Sequence, residues 1–290
     1  MNLKFFKIKS ITKIQQKQTV VNFSVQKNEN YFANGILTHN CYMKRHQPDG
    51  LTIATNINDI LTAINNHSMF AVVNKPNQTH DIYVSYDISC NEDFALHLKH
   101  YPWQYIFDFF KNHDIAFGSF ATKYVNKELL TYNPNKKIRI RFSLMPQNYS
   151  NLLEPNTSKI IDRIKAINDF IDAGYDVHIN FSPVIVTENW LEEYKILFEA
   201  VNDIVKEENK QSVKAEVIFL THNNNKHLDN LKNNLTGEEL LWNPEIQENK
   251  ISQYGGLNIR YKHYLKSQYI EQFKEVHNKV ISWNKIRYIF

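Results

Sequence analysis

Along residues 81–290 the apolar positions follow two alternating periods. Short runs rich in Val, Ile, Phe and Tyr, each about the length of one strand, give way to longer stretches with apolar residues every three or four positions. The pattern predicts strands over 81–89, 115–121, 138–144, 176–183, 215–220 and 285–290. Between them it predicts helices over 103–111, 126–131, 157–173, 190–208, 226–235 and 264–280. Thr157 is an N-cap candidate for the third of these helices, and Gly174 follows its end. Repeated strand-then-helix units argue for a parallel sheet wrapped by helices, open or curled into a barrel.

The first forty positions have another texture. Phe5, Phe6, Ile8, Ile11 and Ile14 stand among lysines over 1–17, the mark of one or two short strands with a charged outer face, and 20–25 is strand-like. Asn34-Gly35 lies between apolar runs, a two-residue hairpin signal. A piece of about forty residues cannot bury a core of its own, so it is expected to be partly disordered until a partner binds. Lysines crowd the first 27 residues with no acid among them, so opposite charge would assist that meeting.

The hairpin signal runs into His39-Asn40-Cys41. An asparagine amide can attack its own main-chain carbonyl and cut the peptide bond after it, provided a neighbour protonates the leaving amine. His39 suits that task because imidazole titrates near neutral pH, and Cys41 adds a thiol nucleophile on the far side. Taken alone, the tripeptide fits an ordinary hairpin followed by a polar loop better, and it is the longer context that changes this reading. Residues 19–41 taken together, TVVNFSVQKNENYFANGILTHNC, resemble the C-terminal splicing region of an intein. With so little chain before the junction, the resemblance implies the C-terminal half of a split intein over 1–40, an all-β, Hint-like fragment incomplete alone. Asn40 would cyclise, His39 would assist, and Cys41 would open a C-extein over 41–290. Asn22 and Glu29 stand where many inteins have Asp and His. The partner would be a separate chain carrying the N-extein and N-intein.

Composition adds little beyond a frame. The chain has 290 residues, 42% hydrophobic and 22% charged, with a net charge of +4, too mild to indicate a nucleic-acid surface by itself. Two cysteines, Cys41 and Cys90, cannot build a disulfide framework. Neither a signal peptide nor an apolar run of membrane-spanning length is visible, which sets the expectation of a cytoplasmic protein with no membrane partner.

In folds of this class chemistry gathers at the carboxyl ends of the strands. Those ends carry Cys90-Asn91-Glu92-Asp93, Thr122-Lys123-Tyr124, Ser143 to Gln147, Ser182-Pro183 and Thr221-His222-Asn223. No glycine-rich phosphate loop or zinc spacing is among them. Taken singly, Lys123, Asp93 and Ser143 read as solvated strand ends, and His222 as an imidazole capping one.

A second resemblance binds these positions together. Cys41-Tyr42-Met43-Lys44-Arg45-His46 looks like the end of the radical S-adenosylmethionine motif CxxxCxxC followed by Tyr, as in the spore photoproduct lyase family. Ser89-Cys90 with Asp93, Thr122-Lys123, the run from Arg139 to Ser143, the run from Glu154 to Thr157 with Arg163 and Ala166, Ala173-Gly174-Tyr175, Ser182-Pro183, Trp190 with Tyr194, and Tyr254-Gly255 fit the same family in order. The resemblance implies a partial (β/α)6 radical SAM barrel lacking its first strand. It also implies a [4Fe-4S] cluster held in part by Cys41, and S-adenosyl-L-methionine contacted by Lys123, Ser143 and Asp93. Cys90 and Tyr42 fall at the hydrogen-transfer positions, while Glu92 stands where the family has a serine contact.

Splicing would then complete the cluster motif, since this chain offers only its third thiolate. The expected product is a radical lyase acting on thymine lesions in DNA, with Arg260, Lys262 and Lys266 as candidate phosphate contacts. Two other readings remain open: the same radical fold with a peptide or small-molecule substrate, and a splicing-inactive remnant without enzyme activity.

Overall fold

The computed structural model describes residues 30–33, 36–39, 56–70, 80–88, 93–251 and 257–289. Near the start, β1 (Asn30–Ala33) pairs antiparallel with β2 (Ile36–His39), Ala33 opposite Ile36 and Asn30 opposite His39. That pairing agrees with the hairpin expected around Asn34-Gly35. Those two residues, and the strands expected over 1–17 and 20–25, lie outside the described residues.

After α1 (Ile57–Phe70), strands and helices alternate. They are β3 (Val84–Asp87), α2 (Trp103–Asn112), β4 (Ala116–Thr122), β5 (Ile138–Ser143), α3 (Gln147–Leu153), α4 (Ile160–Asp172), β6 (Asp176–Val184), α5 (Trp190–Ile204), α6 (Glu207–Lys210) and β7 (Ala215–Phe219). A small lobe follows, made of β8 (Thr221–Asn223), α7 (Asn224–Lys232), α8 (Glu238–Leu241), β9 (Gln247–Ile251) and β10 (Leu257–Tyr261). The chain then returns through α9 (His263–Val280) to β11 (Ile286–Ile289).

Six strands form one sheet in the order β11-β7-β6-β5-β4-β3, and every neighbouring pair is parallel. The α/β class and parallel sheet thus follow the periodicity. The barrel was expected to lack its first strand; the described residues already supply six, with β3 at one edge.

The period of two along each strand decides which face meets which environment. Ile138, Ile140 and Phe142 of β5 and Val177, Ile179 and Phe181 of β6 are buried against the helices. Phe142 meets Phe170 of α4 edge-on, and Phe181 meets Phe198 of α5 and Phe273 of α9. Each such ring, fully buried, contributes about 1.5–3 kcal/mol through area removed from water.

The alternate positions are polar: Arg139, Arg141 and Ser143 on β5, His178 and Asn180 on β6, and Glu216 on β7 are buried on the other face or nearly so. Arg141 Nη2 donates to Asp87 Oδ2 of β3 at 2.6 Å, and its Nη1 to Glu216 Oε2 of β7 at 3.3 Å. Each acceptor is two strands away, roughly 10 Å along a flat sheet. One side chain reaches both only because the face is concave, as in a curled half-barrel.

Several local expectations shift. The helix predicted over 126–131 is a 3₁₀ turn, Lys127–Thr131, begun by Asn126, whose side chain accepts from the Glu128 N–H. The helix over 157–173 begins at Ile160, because the Thr157 hydroxyl donates to the Glu154 carbonyl instead of capping. Gly174 does end it, at φ +91°. The helix over 190–208 breaks at Val205 into α5 and α6. Helices α1, α3 and α8 and the β9–β10 hairpin carried no strong periodic signal.

Gly118 on β4 allows the sheet to approach α2. A Cβ there would lie 2.7 Å from Ile138 Cδ1 and 3.0 Å from Phe110 Cδ2. Gly118→Ala is expected to destabilise the chain by about 1–3 kcal/mol through overpacking. Urea unfolding checks this, and an unchanged midpoint would contradict the contact.

Candidate active site

The carboxyl end of β4 is fixed by one carboxylate. Asp93 Oδ1 accepts from the Thr122 hydroxyl at 2.7 Å and from Leu96 N at 3.2 Å, while Oδ2 accepts from Lys123 N at 2.6 Å. Asp93 and Lys123 are therefore brought together as the sequence suggested. The carboxylate holds the backbone from which the lysine projects.

Lys123 Nζ lies 2.7 Å from Glu154 Oε1, and Arg163 Nη1 lies 2.9 Å from Glu154 Oε2. Arg163 also donates to the Ser143 carbonyl at 2.8 Å, to the Ser158 carbonyl at 2.9 Å and to the Thr157 hydroxyl at 2.7 Å. Its guanidinium is wholly buried, so these partners replace water around a charge that would otherwise be very costly to bury. The result is one chain of contacts, Lys123–Glu154–Arg163–Ser143, across the ends of β4 and β5. It joins Lys123 and Ser143, two of the three residues singled out as cofactor contacts, and the third, Asp93, is tied to it through the Lys123 N–H.

Burial pushes the Glu154 carboxyl up, and the Lys123 and Arg163 charges outweigh it, so the net shift is downward. At the next strand, Asn180 Nδ2 donates weakly to Ser143 Oγ at 3.5 Å. Asn180 Oδ1 and, on β3, Ser85 Oγ are buried without a hydrogen-bond partner among the described residues. Unsatisfied polar atoms on the concave face are places where a polar ligand would gain.

The sequence pattern contains Glu154 and Arg163 but assigns neither a role. The available signal was Arg163 on the apolar stripe of α4, three residues after Ile160 and one before Ile164, where an ion must be paired. His39 lies in β2, cross-strand from Asn30. Asn40, Cys41, Tyr42 and Cys90 fall outside the described residues. His222 is not at the end of β7 but inside the small lobe, against Glu238.

The family profile described as spore photoproduct lyase matches residues 9–290. The chain belongs to the spore photoproduct lyase family. Spore photoproduct lyase of Clostridium acetobutylicum is 28% identical over 152 residues, 51% of this chain and 43% of that protein. That of Bacillus subtilis is 29% identical over 139 residues, 47% of this chain and 40% of that protein. The aligned stretch thus spans less than half of either curated relative.

Two solved structures share the fold. A spore photoproduct lyase mutant with bound AdoMet and dinucleoside spore photoproduct superposes with a TM-score of 0.72 at 19% identity, covering 82% of this chain and 68% of that one. A spore photoproduct lyase complexed with dinucleoside spore photoproduct gives 0.72 at 20% identity over the same shares. The half-barrel is thus the family's fold.

Because the folded Glu154 pKa is depressed, the stability it contributes is fully present above its unfolded value near 4.5 and is lost as pH falls through the folded value. Glu154→Gln should flatten that acid limb. It should also cost about 3–5 kcal/mol at neutral pH by leaving Arg163 without its buried counter-charge. Chemical unfolding from pH 7 to pH 3 tests both, and parallel wild-type and variant profiles would refute the assignment.

Proposed function

We propose that this chain is the downstream half of a radical S-adenosylmethionine enzyme of the spore photoproduct lyase kind, acting on thymine lesions in DNA after trans-splicing to an upstream half. The observation that carries the enzymatic part is the Lys123–Glu154–Arg163–Ser143 network at the carboxyl ends of β4 and β5, in a chain of this family. The bound AdoMet and dinucleoside spore photoproduct of a solved relative support the same assignment of cofactor and substrate.

The residues present fit such a cofactor. S-adenosyl-L-methionine carries an amino group, a carboxylate and ribose hydroxyls. The concave face offers an ammonium, a serine hydroxyl and the unsatisfied Asn180 Oδ1 as matching partners. Lys123 would hold the carboxylate as a point charge shared with Glu154. Ser143 would contact the cofactor directly, and Asp93, with both oxygens already engaged, would act mainly by setting the backbone of Lys123. When bound, the [4Fe-4S] cluster and S-adenosyl-L-methionine supply the radical chemistry. Cys41 would furnish one of three thiolates to that cluster, the upstream chain the other two. Cys90 would return a hydrogen atom to the substrate, with Tyr42 in the relay.

The splicing part rests on the His39-Asn40-Cys41 motif with its upstream blocks and on the hairpin that ends at His39. The family match begins at residue 9, inside the segment assigned to the intein, and lends splicing no support of its own. In the proposed step the Asn40 side-chain nitrogen attacks the Asn40 carbonyl carbon, the Asn40–Cys41 peptide bond breaks, and His39 protonates the departing amine. Before that cleavage the Cys41 thiolate attacks the ester or thioester joining the upstream extein to the first side chain of the N-intein, that bond breaks and that side chain leaves; the freed Cys41 amine then attacks the new thioester, forming a peptide bond and returning the Cys41 thiol.

For the lesion, Arg260 on β10, Lys262 before α9 and Lys266 within α9 would face phosphates. Arg260 is already paired with Glu248 at 2.9 Å, so it would have to exchange that partner.

Co-expression with an upstream half bearing the first two cysteines and an N-intein should yield a ligated product by mass, and Asn40→Ala should abolish it. The ligated, cluster-loaded enzyme should release 5′-deoxyadenosine with ultraviolet-irradiated DNA and not with intact DNA. Equal release with both, or with neither, would count against the DNA-lesion reading. Lys123→Met should weaken S-adenosyl-L-methionine binding by about 1.5–3 kcal/mol, the range for a hydrogen bond to a charged group, in a calorimetric titration.

A further inference from the structure

The small lobe has an interior unlike that of the main sheet. Its buried side chains are a few apolar ones, Leu241, Ile259 and Tyr261, beside His222, Asn230, Glu238 and Gln247, while Leu228, Leu231 and Ile251 are each more than half exposed. Small units with few buried apolar side chains and a polar centre commonly rely on a metal ion or a disulfide. Both cysteines of the chain, Cys41 and Cys90, are far from this lobe in sequence.

At its centre three metal-ligating side chains converge from three elements: His222 of β8, His227 of α7 and Glu238 of α8. His222 Nε2 lies 2.7 Å from Glu238 Oε1, and His227 Nδ1 lies 2.6 Å from the same oxygen. The three ligand atoms all fall within 4.8 Å of one another. Zinc bonds of about 2.0–2.1 Å in a tetrahedron set ligand atoms roughly 3.3 Å apart. A movement of under ~1 Å in each side chain would therefore admit an ion at the point on which they converge.

The surroundings also suit a metal centre. Asn230 Nδ2 donates to Glu238 Oε2 at 2.6 Å, which orients the carboxylate. The Trp242 indole stacks on the His227 ring, centroids 3.9 Å apart and planes within 7°, which fixes the imidazole plane. Outer partners of this kind hold ligand side chains in position. Two imidazoles and one carboxylate form a donor set that zinc and neighbouring first-row divalent ions accept.

We propose that His222, His227 and Glu238 bind one divalent first-row metal ion, zinc foremost, with water in the remaining position, and that this ion staples β8, α7 and α8 into one lobe. The site uses no sulfur ligand.

The test is titration of the full chain, stripped by chelator, with Co²⁺ and then Zn²⁺. Expected are one Co²⁺ per chain, visible d–d bands without a thiolate charge-transfer band, displacement by Zn²⁺, and a higher melting temperature in the Zn²⁺-bound chain. His227→Gln and Glu238→Gln should each lose stoichiometric binding while circular dichroism stays that of the wild type. Asn230→Ala, which removes no ligand, should weaken binding about 10-fold. The proposal is overturned if the wild-type chain takes up no stoichiometric ion, if the cobalt spectrum reports a thiolate, or if either ligand variant binds as tightly as the wild type. Should both ligand variants fail to fold, the wild-type stoichiometry and spectrum together with the Asn230→Ala affinity decide it.

Discussion

The curl of the sheet is held by one guanidinium. Arg141 sits at the middle of the concave face and binds Asp87 of β3 and Glu216 of β7, two strands away on either side. Burial works against its charge, and the two carboxylates outweigh burial, so the group stays ionised. Glu216 is fixed in turn by the Tyr288 hydroxyl of β11 at 2.8 Å, which carries the tie to the last strand of the sheet. Apolar packing alone, on the helix side, would favour the parallel sheet without specifying how far it curls. The polar row on the opposite face supplies that constraint.

Curvature in turn decides what the strand ends can do. Drawing β3 and β7 inward turns the ends of β4 and β5 toward a common space, and there Lys123 and Ser143 are linked through Glu154 and Arg163. The arrangement is rigid because Arg163 is buried and every direction of its fork is taken by a carboxylate, carbonyl or hydroxyl. A lysine held in this way keeps a fixed position for its charge, as the proposed role at a cofactor carboxylate requires.

The small lobe follows a different principle. It interrupts the strand–helix alternation between β7 and α9 and is organised around the polar group His222, His227, Glu238 and Asn230, with Trp242 stacked on His227. Its β8-β10-β9 sheet is antiparallel, apart from the main sheet, and carries Arg260. The lobe and the concave face are therefore two chemically separate regions, one built on a half-barrel and the other on a polar centre.

Local pattern determined a large part of this protein. The parallel alternation, most strand positions within a residue or two, the end of α4 at Gly174 and the hairpin leading to His39 were all legible, because each depends on neighbours a few residues apart along the chain. The strand ends were legible too, and with them Lys123, Asp93 and Ser143. Tertiary structure alone decided the partners. Arg141 finds Asp87 54 residues before it and Glu216 75 residues after it, and Glu238 gathers His222 from 16 residues upstream. Periodicity does not encode such pairings, since they depend on which faces the folded sheet brings together. Sequence placed Lys123 and Ser143 at strand ends, and folding settled which buried charges would hold them beside one another, because Glu154 and Arg163 reach them only across the folded sheet.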